Sequence, residues 1–265
     1  MIELDKCYNE SCLDTMARMD DGSVDLVVTS PPYDDLRNYK GYSFPFDEIS
    51  RELVRVLKDG RILVWVVGDA CIDGSETGTS FRQALHFMDL GLKLHDTMIY
   101  EKNSSSFPAS SDSKRYTQIF EYMFVFCKGR IRDDISLLKD KRNKWAGATN
   151  FGTNTQYGKD GKVETEDIKP VPEFSLRTNI WWYVTGFNDK TGHPAVFPEK
   201  LAEDHILSWS VENDIVYDPF MGSGTTAKMA IMNRRRWIGS EISREYCEMI
   251  DKRLGKGVQT NLFDL

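Results

Sequence analysis

Val24-Asp25-Leu26-Val27-Val28-Thr29 is a short, β-branched, nearly continuous apolar run, and it closes on Ser30-Pro31-Pro32-Tyr33. Such a run predicts a strand buried inside a parallel sheet. Neither proline can donate to a sheet ladder, and each drives the residue before it into an extended conformation. The chain therefore leaves the strand as a stiff loop, with Ser30 and Tyr33 held at the strand's carboxyl end. In open α/β sheets ligands sit at that edge. Taken alone, the same residues also describe a proline turn with one core tyrosine.

A second strand, turn and helix lies far downstream. Ile215-Val216-Tyr217 runs into Asp218-Pro219-Phe220-Met221-Gly222-Ser223-Gly224-Thr225-Thr226, and a helix follows to Asn233. Gly222 and Gly224 let the backbone approach a ligand closely, with a helix N-terminus behind them. The lysine of a G-K-[ST] phosphate loop is missing, and Ala227 and Lys228 stand where a third glycine of G-x-G-x-x-G would fall. Trp237-Ile238-Gly239 predicts the next strand. Glu241 at its end can accept hydrogen bonds from both hydroxyls of a ribose.

Between these stretches an α/β rhythm is legible. Residues 2–8 suit an edge strand, and a weak helix follows around 13–19. Asp47 is a suitable N-cap for a helix to about Lys58, which Asp59-Gly60 would end before a buried strand over 61–67. A helix over 81–90 with Gly91 as its cap, strands over 94–100 and 120–127, a helix opened by Pro198 and a last helix capped by Ser243 complete the pattern. The rhythm breaks between Lys128 and Asp189. There Lys139, Lys141, Arg142 and Lys144 mix with Trp145, Phe151, Tyr157 and Trp181-Trp182. Basic residues interleaved with aromatics suit phosphate contacts and base stacking. A surface insertion with a small aromatic core fits the composition equally well.

The chain has 265 residues, 40% of them hydrophobic and 28% charged, enough for one large α/β domain with an inserted module. Its net charge of -7 argues weakly against nucleic-acid binding, so local clusters decide: Lys139 to Lys144, and Arg234-Arg235-Arg236. Five cysteines, odd in number and without a C-x-x-C pair, indicate neither a disulfide framework nor a zinc site, and no metal is expected. No signal-peptide pattern opens the chain, and no apolar run approaches membrane-spanning length. A cytosolic protein without a membrane partner is the expectation.

The two loops together resemble those of the β-class DNA amino-methyltransferases, the cytosine-N4 and adenine-N6 enzymes that use S-adenosyl-L-methionine (AdoMet). Ser30-Pro31-Pro32-Tyr33 is similar to their catalytic motif, and Asp218 to Thr226 to their AdoMet loop, across nearly the whole chain. The resemblance implies a Rossmann-like methyltransferase sheet, circularly permuted so that the catalytic loop precedes the AdoMet loop. Residues 1–127 would form the catalytic half, 128–189 a target-recognition insertion, and 190–265 the AdoMet-binding half. It further implies catalysis at Ser30, Pro31, Pro32 and Tyr33, and cofactor contacts from Asp218, Phe220, Gly222, Gly224, Thr225, Glu241 and Phe197. DNA contacts would come from Lys141, Arg142, Lys144 and Trp145. Where the family often has Gly-Asp-Cys-Leu, whose aspartate contacts the adenine of AdoMet, this chain has Glu10-Ser11-Cys12-Leu13, which leaves that contact to Ser11 or to a backbone group. The expected activity is methylation of a flipped base in double-stranded DNA. Within the resembled family a Ser-Pro-Pro-Tyr loop favours cytosine N4, with adenine N6 as the alternative. An RNA or protein methyltransferase and an inactive DNA-binding module are the other readings. A homodimer and a cognate restriction endonuclease are the protein partners the resemblance allows.

Overall fold

The computed structural model describes residues 2–32, 44–104, 111–149, 155–157, 163–165, 170–184 and 198–257. Its elements run β1 (Lys6–Tyr8), α1 (Cys12–Met16), β2 (Val24–Thr29), α2 (Phe46–Val56), β3 (Leu57–Val67), β4 (Cys71–Ile72), β5 (Ser75–Glu76), α3 (Thr79–Asp89) and β6 (Leu92–Lys102). Then follow β7 (Phe120–Lys128), β8 (Lys141–Arg142), β9 (Thr155–Tyr157), β10 (Val163–Thr165), β11 (Phe174–Ser175) and β12 (Ile180–Tyr183). The chain closes with α4 (Glu199–Trp209), β13 (Ile215–Asp218), α5 (Thr225–Met232), β14 (Arg236–Ser240) and α6 (Arg244–Gly257).

Eight strands form the central sheet in the order β1-β14-β13-β2-β3-β7-β6-β12. All six residues of β2 are buried, and β2 pairs in parallel with both β13 and β3. The antiparallel β7 then separates β3 from β6. Side chains of β2 alternate between two cores. Val24 and Val27 pack with α1, α2 and α3 on one face, while Leu26 and Val28 pack with α4, α5 and α6 on the other. A strand covered on both faces must be apolar almost throughout, which is why no alternation marks it.

Local expectations shift where long-range pairing overrides propensity. Asp47 is not the N-cap of α2; Pro45 holds that place, and Asp47 lies in the first turn, paired with Arg51. Phe46 already packs on Trp65 and Phe87, which draws the helix start forward. Asp59-Gly60 does not break the chain before the second strand. Leu57 is in register with Val24, so β3 begins there and passes through Gly60 at φ +78. Lys128 donates from Nζ to the carbonyls of Val54 and Leu57 and so closes the C-terminal end of α2.

Two compact units separate: residues 1–136 with 179–265, and residues 137–178. Within the smaller unit β8 pairs with β11, and β9 with β10. Ile180–Tyr183, read from sequence as part of the insertion, is instead an edge strand of the main sheet beside β6. Trp181 and Tyr183 point into its core, and Trp182 points outward. Among the described residues no helix is long and apolar enough to cross a membrane.

Candidate active site

The sheet brings together two loops separated by nearly 190 residues of chain. β2 and β13 are parallel neighbours, and the crossovers from them run to opposite sides: β2 through α2 to β3, and β13 through α5 to β14. That is a topological switch point, where the carboxyl ends of adjacent strands leave a crevice. Ser30 to Pro32 emerge from β2 there, with Ser30 half-buried and Pro31 buried. Tyr33 lies outside the described residues, as do Phe197 and the rest of the segment 193–197 that precedes α4.

Asp218 joins the two loops. It is 1% exposed. Oδ1 accepts from the Thr29 hydroxyl at 2.7 Å and from the Phe220 amide at 3.0 Å, and Oδ2 accepts from the Thr226 hydroxyl at 2.7 Å. Burial pushes this carboxyl up, and the three donors pull part of the way back. The carboxylate that the resemblance assigns to the cofactor is thus also a crosslink between β2, the glycine loop and α5. Thr29 precedes the first motif and Thr226 closes the second, and only their meeting in space reveals the shared acceptor.

The glycine loop turns at Gly222 (φ +53) and Gly224 (φ +80), the latter serving as the N-cap of α5. A Cβ on Gly224 would meet Ile250 of α6 at 3.0 Å, so conformation and space both require glycine there. Thr225 is buried at the first position of α5, and Phe220 packs edge-on against Phe44 and Trp65. Glu241, at the end of β14, accepts from the Ser243 amide on Oε1 and from the Gly222 amide on Oε2, both at 2.8 Å. Burial pushes the Glu241 carboxyl up, backbone N–H donors oppose it, and the nearby Asp218 charge adds to the rise. An ionised carboxylate offers about four acceptor positions, more than these backbone donors fill, so capacity remains for a further donor. Ser11 caps α1, its hydroxyl accepting from the Leu13 amide at 3.3 Å. Glu10 is engaged by Thr15 and Arg18.

Lys141, Arg142, Lys144 and Trp145 are exposed in the smaller unit, with the Lys144 ammonium 5.3 Å from the centre of the Trp145 ring. Arg142, Asn143, Lys144 and Ala146 line a shallow hollow there that is open to solvent. The other basic cluster is engaged unevenly: Arg234 and Arg236 stay exposed in surface ion pairs, and Arg235 is part-buried. Arg234 pairs with Glu212, Arg236 pairs with Asp5, and Arg235 donates to the Ser210 carbonyl and hydroxyl. Among the described residues no group of three His, Cys, Asp or Glu side chains is arranged to hold a metal ion.

Residues 24–252 match the model of the N6/N4 methyltransferase family, described as DNA methylase. Over 241 residues the chain is 57% identical to the orphan methyltransferase M.BamHII of Bacillus amyloliquefaciens, covering 88% of this chain and 89% of that one. Its fold is similar to the cytosine-N4-specific PvuII DNA methyltransferase, with TM-score 0.67, 21% identity, and 94% and 85% of the two chains covered. It is also similar to M1.HpyAVI solved in complex with SAM, with TM-score 0.63, 22% identity, and 94% and 98% covered. The chain belongs to the N6/N4 amino-methyltransferase family of DNA methylases.

Proposed function

We propose that this protein transfers a methyl group from AdoMet to the exocyclic amine of a base flipped out of duplex DNA, with N4 of cytosine as the target. The observation that carries the reading is the Asp218 crosslink, which sets Ser30 and the glycine loop at neighbouring strand ends. AdoMet, when bound, supplies a methyl group already activated by its sulfonium. The residues present fit it: Glu241 keeps acceptor capacity for ribose hydroxyls, and the amide of Gly222 ties that carboxylate to the loop.

The chain's own part is to make a poor nucleophile reactive. An exocyclic amine delocalises its lone pair into the ring. Acceptors for its two hydrogens, the Ser30 hydroxyl and the Pro31 carbonyl, favour a pyramidal nitrogen with the lone pair released, the geometry of the transition state. Tyr33 would stack on the extruded base, since the amine cannot reach the cofactor inside the helix. Ser30 in place of aspartate or asparagine supports cytosine through the family resemblance. Mass spectrometry of nucleosides from DNA of cells expressing the protein tests the choice: N4-methylcytosine is expected, and N6-methyladenine alone overturns it.

Two further outcomes are expected. Glu241→Ala should weaken AdoMet binding by about 1.5–3 kcal/mol, the scale of hydrogen bonds to a charged group, and unchanged affinity by calorimetry would refute the ribose role. Replacing Lys141, Arg142 and Lys144 with alanine should weaken DNA binding and flatten its salt dependence, while AdoMet binding persists. The exposed arginines Arg234 and Arg236 are the alternative path. An unaltered salt slope would move the DNA contact away from the smaller unit.

A further inference from the structure

Arg253 of α6 reaches the glycine loop from the C-terminal helix. Its side chain is 15% exposed. Nη1 donates to the Ser223 carbonyl at 2.7 Å, to the Ser223 hydroxyl at 3.0 Å and to the Thr225 hydroxyl at 3.4 Å. Nη2 donates to Glu199 Oε1 at 2.6 Å, and the same oxygen accepts from Lys228 Nζ of α5 at 2.7 Å. Ser223 lies between the two positive-φ glycines, where no helix or strand restrains the backbone. Glu199 is the first residue of α4, immediately after Pro198. Burial pushes the Glu199 carboxyl up, but the hydrogen bonds and charges of Lys228 and Arg253 outweigh it and hold it below its ordinary value. The carboxylate is therefore ionised at neutral pH and the clamp is closed.

We propose that Arg253 is a positioning residue for the cofactor loop, holding Ser223 and, through Glu199, coupling that loop to the start of α4. The inference rests on the reading of residues 218–226 as the AdoMet loop. A guanidinium suits the task because its planar fork serves two directions at once, whereas a lysine is a single point charge. The partners lie 28 to 54 residues from Arg253 along the chain, so no local motif announces the clamp.

AdoMet affinity by calorimetry and steady-state methylation of duplex DNA test it on the full chain. Arg253→Gln should raise the AdoMet Kd and the AdoMet KM about tenfold, with kcat at saturating AdoMet and the KM for DNA within about twofold of wild type. Arg253→Lys should fall between, and Glu199→Gln should show the same KM split. The double variant Glu199→Gln/Arg253→Gln should lose less than the product of the single losses, because both break one network. A lowered Tm with unchanged AdoMet Kd would make Arg253 merely structural and overturn the proposal, as would multiplicative losses in the double variant. If Arg253→Gln does not fold, Arg253→Lys and Glu199→Gln decide. Failure of the wild type itself to bind AdoMet would instead refute the reading of the loop.

Discussion

Asp218→Ala is expected to reduce methyl transfer at least about 100-fold and to lower the unfolding free energy by about 3–5 kcal/mol. Alanine leaves the Thr29 and Thr226 hydroxyls and the Phe220 amide without their acceptor in a site closed to water. Each unmet donor costs about 1–3 kcal/mol, and the costs overlap because the three share one carboxylate. The rate falls further than stability alone requires, since the catalytic loop and the glycine loop lose the group that sets their separation. Asp218→Asn keeps one acceptor oxygen and should be milder in both respects. The folded-state carboxyl lies above its ordinary value, chiefly through burial. Its contribution is therefore fully present below the unfolded pKa and lost as pH rises through the folded one. The wild type's stability margin over Asp218→Asn should accordingly not shrink on mild acidification. Urea unfolding from pH 7 toward the acid range checks this, and a margin that collapses on acidification would contradict the assignment.

The second large effect belongs to the opposite edge of the sheet. Arg61, 2% exposed, lies 3.0 Å from Asp214, 3.2 Å from Asp25 and 3.7 Å from Asp134. Lys58 and the Ile215 amide also serve Asp25. Arg61→Met should cost about 3–5 kcal/mol, because it strips buried carboxylates of their main cation. Burial already pushes the Asp214 carboxyl up, and the Asp25 charge adds to it. Without Arg61 that rise grows, so the variant should regain stability as pH falls and Asp214 takes a proton. Denaturant midpoints at pH 7 and pH 5 measure both parts. AdoMet affinity of the folded variant should match wild type, as the cluster stands at the amino ends of β2 and β13, away from the loops. A loss below 1 kcal/mol would mean that the charges are hydrated rather than paired.

Much of the fold was legible because it depends on local chemistry. The unbroken apolar run at 24–29, the double proline after it, and the glycines at 222 and 224 each dictate a backbone outcome whatever surrounds them. Strand β2, the loop leaving it and the strand–turn–helix around the glycine loop follow from those residues alone. The resemblance of the two motifs then led to the family, which the match over residues 24–252 shows. Boundaries were less legible. Leu57 joins β3 because Val24 lies beside it, and Ile180–Tyr183 belongs to the main sheet because β6 presents an open edge to pair with.

What only the tertiary structure decided is which charged and polar groups satisfy one another. Asp218, which the family resemblance assigns to the cofactor, also ties β13 to β2 in space, because Thr29, 189 residues earlier, donates to it. Arg234 to Arg236 read as a basic patch, yet Glu212, Asp5 and Ser210 engage all three. Arg253 carried no signal, for its partners arrive from α4 and from the glycine loop. Backbone conformation is set by each residue's own sterics and nearest neighbours, so sequence determines it. The partner of a long polar side chain is set by which strands lie side by side, and that order exists only once the sheet has formed.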